Sequence, residues 1–138
     1  MNVKSYAFYL LSKRDYFKEE LRLKLQKKGF NTEEIEETLS YLEKNGYIDD
    51  EKLKDRKKEL AVQKGESPLK LKSKLYRKGI KEIDISFSEN ELLEAAIQRM
   101  KKYKKEKEYK KIVSYLINRG FPYSIASKVA KMYIQGDI

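Results

Sequence analysis

Cysteine and histidine are both absent from the chain. Without cysteine there is no disulfide bond and no thiolate metal site. Without histidine, the chain lacks the side chain that most often serves as a general base and as a metal ligand. The two absences argue against acid–base catalysis and against transition-metal binding.

Glycine is scarce, and the six glycines are all isolated from one another, so the sequence has no glycine-rich phosphate loop. The acidic run Asp49-Asp50-Glu51 has the residue types for Mg²⁺, but helix capping is the simpler explanation for it. We therefore expect no catalytic residue, no metal and no cofactor.

Long apolar runs are missing as well. No segment approaches the roughly 20 apolar residues that a membrane span needs. The N-terminus has no apolar stretch of the kind found in signal peptides. We therefore expect a cytoplasmic protein without membrane contact. The length of 138 residues suits one ordinary domain.

Positive charge is abundant but unevenly spread. The net charge is +10; residues 1–66 contribute +1 of this and residues 67–138 contribute +9. A field of that sign concentrates polyanions or acidic protein surfaces. A lysine-rich solvated surface is the alternative explanation.

Apolar residues recur with helical spacing along most of the chain, and both prolines stand at predicted helix starts. Asn31 with Glu34, and Ser88 with Glu91, have the spacing of capping boxes. Residues 83–87 alternate apolar and polar side chains and are interpreted as a short helix or a connector. The pattern predicts an all-α protein.

A motif with two apolar residues, a basic residue, glycine and a large apolar residue occurs three times. The copies are Leu21/Leu25/Lys28-Gly29-Phe30, Leu71/Leu75/Lys78-Gly79-Ile80 and Ile112/Leu116/Arg119-Gly120-Phe121. We predict tandem three-helix repeats over 1–48, 49–87 and 88–138, with the middle one degenerate because its third helix is compressed into 83–87. Such units gain stability by stacking, which predicts an elongated curved rod. The basic residue before each glycine suits either dipole stabilisation or ligand binding.

Two basic clusters are the candidate binding residues. On the helix that starts at Pro68, one stripe consists of Lys70, Lys74, Arg77 and Lys78, and residues 67–81 contain no acid. The second cluster supplies Arg99, Lys101, Lys102, Lys105, Lys110 and Lys111. Tyr103 and Tyr109 are interleaved with it, a pattern typical of single-stranded nucleic acid binding. We interpret these two tyrosines as core residues rather than as stacking platforms.

The order and spacing of these residues resemble the RecX family. The resemblance rests on the segments 10–16, Glu20-Leu21, Lys24-Leu25, Lys28–Phe30, Ile35-Glu36 and 46–50, and on Lys64-Gly65, Leu71, Leu75 and Arg77–Ile80. Phe17 departs from the pattern because it stands where a small helix cap is expected. The helix after Asp50 departs as well, since it is lysine-rich.

The resemblance implies binding within the groove of RecA filaments on single-stranded DNA. It also implies modulation, usually inhibition, of RecA ATPase, strand exchange and coprotease activity, and hence a part in DNA repair and the SOS response. From the residues alone, two alternatives stay open. These are a nucleic-acid-binding protein with helix-turn-helix-like units that acts without RecA, and a helical scaffold. Nothing demands a dimer, so we expect a monomer.

Overall fold

The computed structural model describes residues 1–138 and contains α-helices but no strand, which confirms the all-α prediction. The helices are α1 Val3–Leu11, α2 Lys18–Lys28, α3 Thr32–Lys44, α4 Asp50–Lys64, α5 Pro68–Arg77, α6 Glu89–Met100, α7 Tyr109–Asn118 and α8 Tyr123–Ile134. None of them is both long enough and apolar enough to cross a membrane.

The two predicted capping boxes can be compared directly with the hydrogen bonds in the structure. The Ser88–Glu91 capping box forms in full, because the Glu91 N–H donates to Ser88 Oγ (3.1 Å) and the Ser88 N–H donates to Glu91 Oε1 (2.8 Å). Asn31 caps α3 by accepting the N–H of Glu33 at 2.8 Å. Glu34 offers only its own N–H to Asn31, so the reciprocal half of that predicted box is missing.

Phe17 occupies the cap position of α2 without a polar side chain. Its ring is 1% exposed, and its N–H donates to Glu20 Oε1 at 3.2 Å. The Glu20 carboxylate also accepts from Arg14 Nη2 at 2.9 Å. A carboxylate one turn into the helix thus satisfies the free N–H, and the cap position is used to bury an aromatic ring.

The chain forms two compact units, and neither is continuous in sequence. Unit 1 comprises residues 1–55 and 75–83. Its main core cluster is Val3, Ala7, Leu10, Tyr16, Leu21, Leu25, Ile35, Leu39, Leu42 and Ile48. Asp50 Oδ1 accepts the N–H of Lys18 at 2.9 Å, so the first residue of α4 caps the start of α2. Asp49 in turn caps α4 itself through the N–H of Lys52 (3.2 Å), which favours the capping interpretation of this acidic run.

Unit 2 comprises residues 56–74 and 84–138. Its core contains four fully buried alanines, two on α6 and two on α8: Ala95, Ala96, Ala126 and Ala130. Small side chains let these two helices approach closely. Ile112 and Leu116 of α7 and Val129 of α8 are fully buried in the same core.

The structure decides between the two interpretations of the last segment of the middle repeat. Residues 81–88 form no helix, so the connector interpretation of 83–87 is confirmed and the short-helix interpretation is wrong. Alternation of apolar and polar residues gives no continuous helical face, which explains why no helix forms. On α4, Leu60 is exposed, whereas its neighbours Ala61 and Val62 are buried.

The two compact units cut across the middle repeat, because α4 and α5 each contribute residues to both. The repeat boundaries at 48/49 and 87/88 stay a prediction about the sequence.

Candidate nucleic-acid interface

The first predicted cluster lies on and directly after α5. Lys70, Arg77 and Lys78 are exposed and have no carboxylate partner. Lys74 differs, because its ammonium pairs with the carboxylate of Glu66. Glu66 stands one residue before the acid-free segment 67–81. The composition of that segment therefore does not predict the ion pair with Lys74.

The second cluster is carried by the loop 101–108 and by the ends of the helices beside it. Arg99 Nε donates to the carbonyl of Gly65 at 3.0 Å, and Lys102 Nζ donates to the carbonyl of Lys64 at 2.8 Å. Both cations therefore bind the carbonyl end of α4, where the helix dipole is negative. Sequence spacing gave no sign of this structural role.

Lys111 also has partners within its own segment. Its ammonium pairs with Glu106 and lies 3.6 Å from Glu108, and the hydrogen bond to Glu106 raises the pKa of Lys111. Lys101, Lys105 and Lys110 lack such partners and are exposed. Six of the ten predicted cations are therefore free of carboxylates and carbonyls: Lys70, Arg77, Lys78, Lys101, Lys105 and Lys110.

Tyr103 fixes the loop that carries these lysines. Its ring is 7% exposed and meets Tyr115 and Tyr133 edge-on, with centroid distances of 4.9 and 5.8 Å. Its hydroxyl donates to the Glu106 carbonyl at 2.7 Å, and burial raises the pKa of Tyr103. The interpretation of Tyr103 as a core residue is confirmed. Tyr109 packs at the edge of the same core and shares a 2.6 Å hydrogen bond with Ser127.

Two features of the surface were missed by sequence reasoning. The Arg119 guanidinium lies over the ring of Tyr115, 4.4 Å from its centroid. In unit 1, exposed tyrosines lie beside lysines, and Lys4 Nζ is 3.5 Å from the centroid of Tyr41. No sequence signal for the second pair is visible, since its two residues are far apart in the chain. Arg119 and Tyr115 have the (i, i+4) spacing that places side chains side by side on a helix.

Together, the fold and these side chains define a small all-helical protein with exposed cationic side chains. No group of acidic side chains is placed to hold a metal ion. Residues 4–42 match the family model described as RecX, first three-helix domain.

Relatives extend the match beyond that domain. The chain is 32% identical to the regulatory protein RecX of Vibrio vulnificus over 89% of this chain and 87% of the relative. It is 30% identical to that of Legionella pneumophila over 91% and 90%. A shorter match of 40% identity, to RecX of Actinobacillus pleuropneumoniae, covers 56% of this chain and 52% of the relative. No solved structure matches significantly. The chain belongs to the RecX family of regulatory proteins.

Proposed function

We propose that this protein binds the RecA–DNA filament and inhibits the ATPase, strand-exchange and coprotease activities of RecA. The observation that carries the proposal is the similarity to RecX proteins, which spans 89% of the chain and includes both compact units. The exposed cations of α5 and those of the loop 101–108 each suit a polyanionic partner. A role in DNA repair and the SOS response, in the cytoplasm, follows from the same proposal.

The mechanism is occupancy. The protein, acting as a monomer, lies in the filament groove and touches both the DNA backbone and RecA protomers. It thereby hinders ATP turnover and excludes the duplex needed for strand exchange. No chemical step by this chain is required, so no catalytic residue, metal or cofactor enters the proposal.

The ten cations contribute in different ways. The six without carboxylate or carbonyl partners are available for phosphate contacts. Lys74 and Lys111 contribute after exchanging a carboxylate for a phosphate, which lowers their net gain. Arg99 and Lys102 each commit one hydrogen bond to the end of α4, which leaves fewer donors for phosphate.

The test is the DNA-dependent ATPase of a RecA from a related bacterium. We expect substoichiometric protein to lower the rate. The triple substitution Lys70→Glu, Arg77→Glu and Lys78→Glu is expected to weaken inhibition at least about tenfold, because three phosphate contacts are lost. The control carries the same charge change away from α5, at the exposed residues Lys24, Lys27 and Lys44. Full ATPase at equimolar protein would overturn the proposal.

One observation favours the alternative of a nucleic-acid-binding protein that acts without RecA. Helices α7 and α8 are joined by the four residues Arg119–Pro122, including Gly120, which is the turn length of helix-turn-helix DNA readers. The discriminating measurement is binding to duplex DNA alone at physiological salt. Nanomolar, sequence-dependent affinity supports the alternative, and weak, sequence-blind and salt-steep binding supports the filament proposal.

A further inference from the structure

A cavity of about 670 Å³ opens in unit 2, between the loop 101–108 and the solvent side of α7. Ser114, Tyr115 and Asn118 of α7 line it, with Arg119 at the end of the helix. The opposite side of α7 is buried in the core through Ile112, Val113 and Leu116. The polar side of this amphipathic helix is thus a wall of the cavity.

The charge of the cavity is positive. Lys105 and Lys110 line it without a carboxylate partner, and so does Arg119. The one acidic residue in the lining, Glu106, is already neutralised by its ion pair with Lys111. An anionic ligand therefore meets three available cations and no free negative charge.

The wall also offers a flat surface. The Arg119 guanidinium lies over the Tyr115 ring, and that ring is braced edge-on by the buried Tyr103. Arg119 itself is exposed. A guanidinium plane with an aromatic ring on one side can stack a nucleobase on its other side. Phosphate alone would use the lysines but would gain nothing from this plane.

A second cavity of about 440 Å³ adjoins the first. It shares Asn118 and Arg119 with the first and adds Lys70 and the exposed Ile117. The two cavities therefore meet at Arg119 and carry cations on both sides of it. This arrangement suits a chain with regularly spaced negative charges.

We propose that these cavities bind consecutive nucleotides of single-stranded nucleic acid, with phosphates on Lys105, Lys110 and Lys70 and a base stacked on Arg119. The inference deepens the proposed function, on which it rests for its biological setting, by naming where the DNA strand contacts this chain. An acidic peptide is the rival ligand, and it has no use for the stacking plane.

The experiment compares fluorescence anisotropy on labelled oligo-dT with an abasic oligomer of equal length. The wild-type protein is expected to bind oligo-dT more tightly. Arg119→Lys keeps the charge but loses the plane, so oligo-dT affinity is expected to fall at least about fivefold, with abasic affinity nearly unchanged. Lys105→Gln with Lys110→Gln is expected to weaken both and to reduce the salt slope by about 1.4. Lys128→Gln, an exposed lysine on α8, is the matched control, and thermal melting checks each variant for folding.

Equal affinity of the wild-type protein for the two oligomers, or an Arg119→Lys variant that behaves like wild type, would overturn the proposal. So would equal competition by polyglutamate of matched charge, because that result assigns the cavities to acidic peptides. RecA is absent from this assay. If Arg119→Lys lowers only the affinity for oligo-dT, the nucleotide site is supported even if the wild-type protein fails to inhibit RecA. If the wild-type protein inhibits RecA but Arg119→Lys binds oligo-dT like wild type, the site is rejected and the proposed function is not.

Discussion

The Ser67 hydroxyl donates a 2.8 Å hydrogen bond to the backbone carbonyl of Arg119, 52 residues away in the chain. The same oxygen accepts the N–H of Lys70 at 3.2 Å, and the residue is 1% exposed. One side chain therefore caps the start of α5 and satisfies the end of α7. These two helix ends also border the smaller cavity of unit 2.

Replacing Ser67 with alanine should remove both bonds and leave the Arg119 carbonyl without its side-chain donor. We expect the free energy of unfolding to fall by about 1–3 kcal/mol, measured by urea denaturation. Ser73→Ala is the control, since that serine is exposed on the same helix, and it should change stability by less than about 0.5 kcal/mol. Equal effects of the two substitutions would refute the bridging role of Ser67.

Gly65 and Gly46 have nearly the same left-handed backbone conformation, with φ angles of +75° and +77°. A Cβ on Gly46 would meet nothing within 4 Å, whereas one on Gly65 would lie 2.6 Å from the backbone nitrogen of Arg99. Gly46→Ala should therefore cost only the strain of the left-handed conformation, about 1 kcal/mol. Gly65→Ala should cost at least about 2 kcal/mol more, because backbone must move. Thermal melting of both variants measures the difference, and similar melting temperatures would contradict the close approach.

The Ser88–Glu91 capping box should make stability depend on pH. The backbone N–H of Ser88 lowers the pKa of Glu91 below its ordinary 4.5, and Lys58 adds to the shift. The unfolded chain then takes up the proton at higher pH than the folded chain does. The stabilisation is present at neutral pH and is lost as pH falls through the folded-state pKa.

Glu91→Gln should accordingly flatten the acid limb of a stability–pH curve and lower stability at pH 7 by about 0.5–1 kcal/mol. Urea midpoints measured between pH 3 and pH 7 check this expectation. Glu94→Gln, on the exposed side of the same helix, should leave the acid limb unchanged. An unaltered acid limb in the Glu91 variant would show that the box does not form.

The ion pair with Glu66 reduces the availability of the Lys74 ammonium for a phosphate contact. Substitution of Glu66 by glutamine removes the ion pair and frees one cation on α5. We expect single-stranded DNA affinity at low salt to rise about twofold or more and the salt slope to steepen by about 0.7. The comparison is with Glu94→Gln, which changes net charge equally but frees no lysine. If both variants gain equally, overall charge alone explains the change.

Most of the helices were predictable from residues close together in the sequence. Apolar spacing, Asn31, Ser88 and the two prolines located helices because each acts within one or two turns of the chain. The choice between helix and connector for 83–87, and the burial of Val62 beside the exposed Leu60, were not predictable in this way. Both depend on which neighbouring helices a segment meets, and a single sequence does not encode that in its periodicity.

The candidate site was less predictable than the fold. Cation positions follow from the sequence, but their partners do not: Arg99 and Lys102 contact the end of α4 more than 30 residues earlier. The buried Tyr103 holds the loop that carries the lysines in place. The sequence did predict that Tyr103 is a core residue. For Arg119, the sequence predicts only dipole stabilisation or ligand binding, whereas the structure places its guanidinium over the Tyr115 ring.

The discontinuity of the two units has a consequence for synthesis on the ribosome. Unit 1 includes residues 75–83 in addition to residues 1–55, and a Cβ added to Gly79 would collide with the Leu23 side chain. The first 55 residues can form their helices as they emerge, but the unit lacks its last segment until residue 83 has left the exit tunnel. A nascent chain arrested before that point lacks the cover that Gly79 gives to Leu23, and it exposes this side chain to chaperones for longer than a contiguous three-helix bundle would.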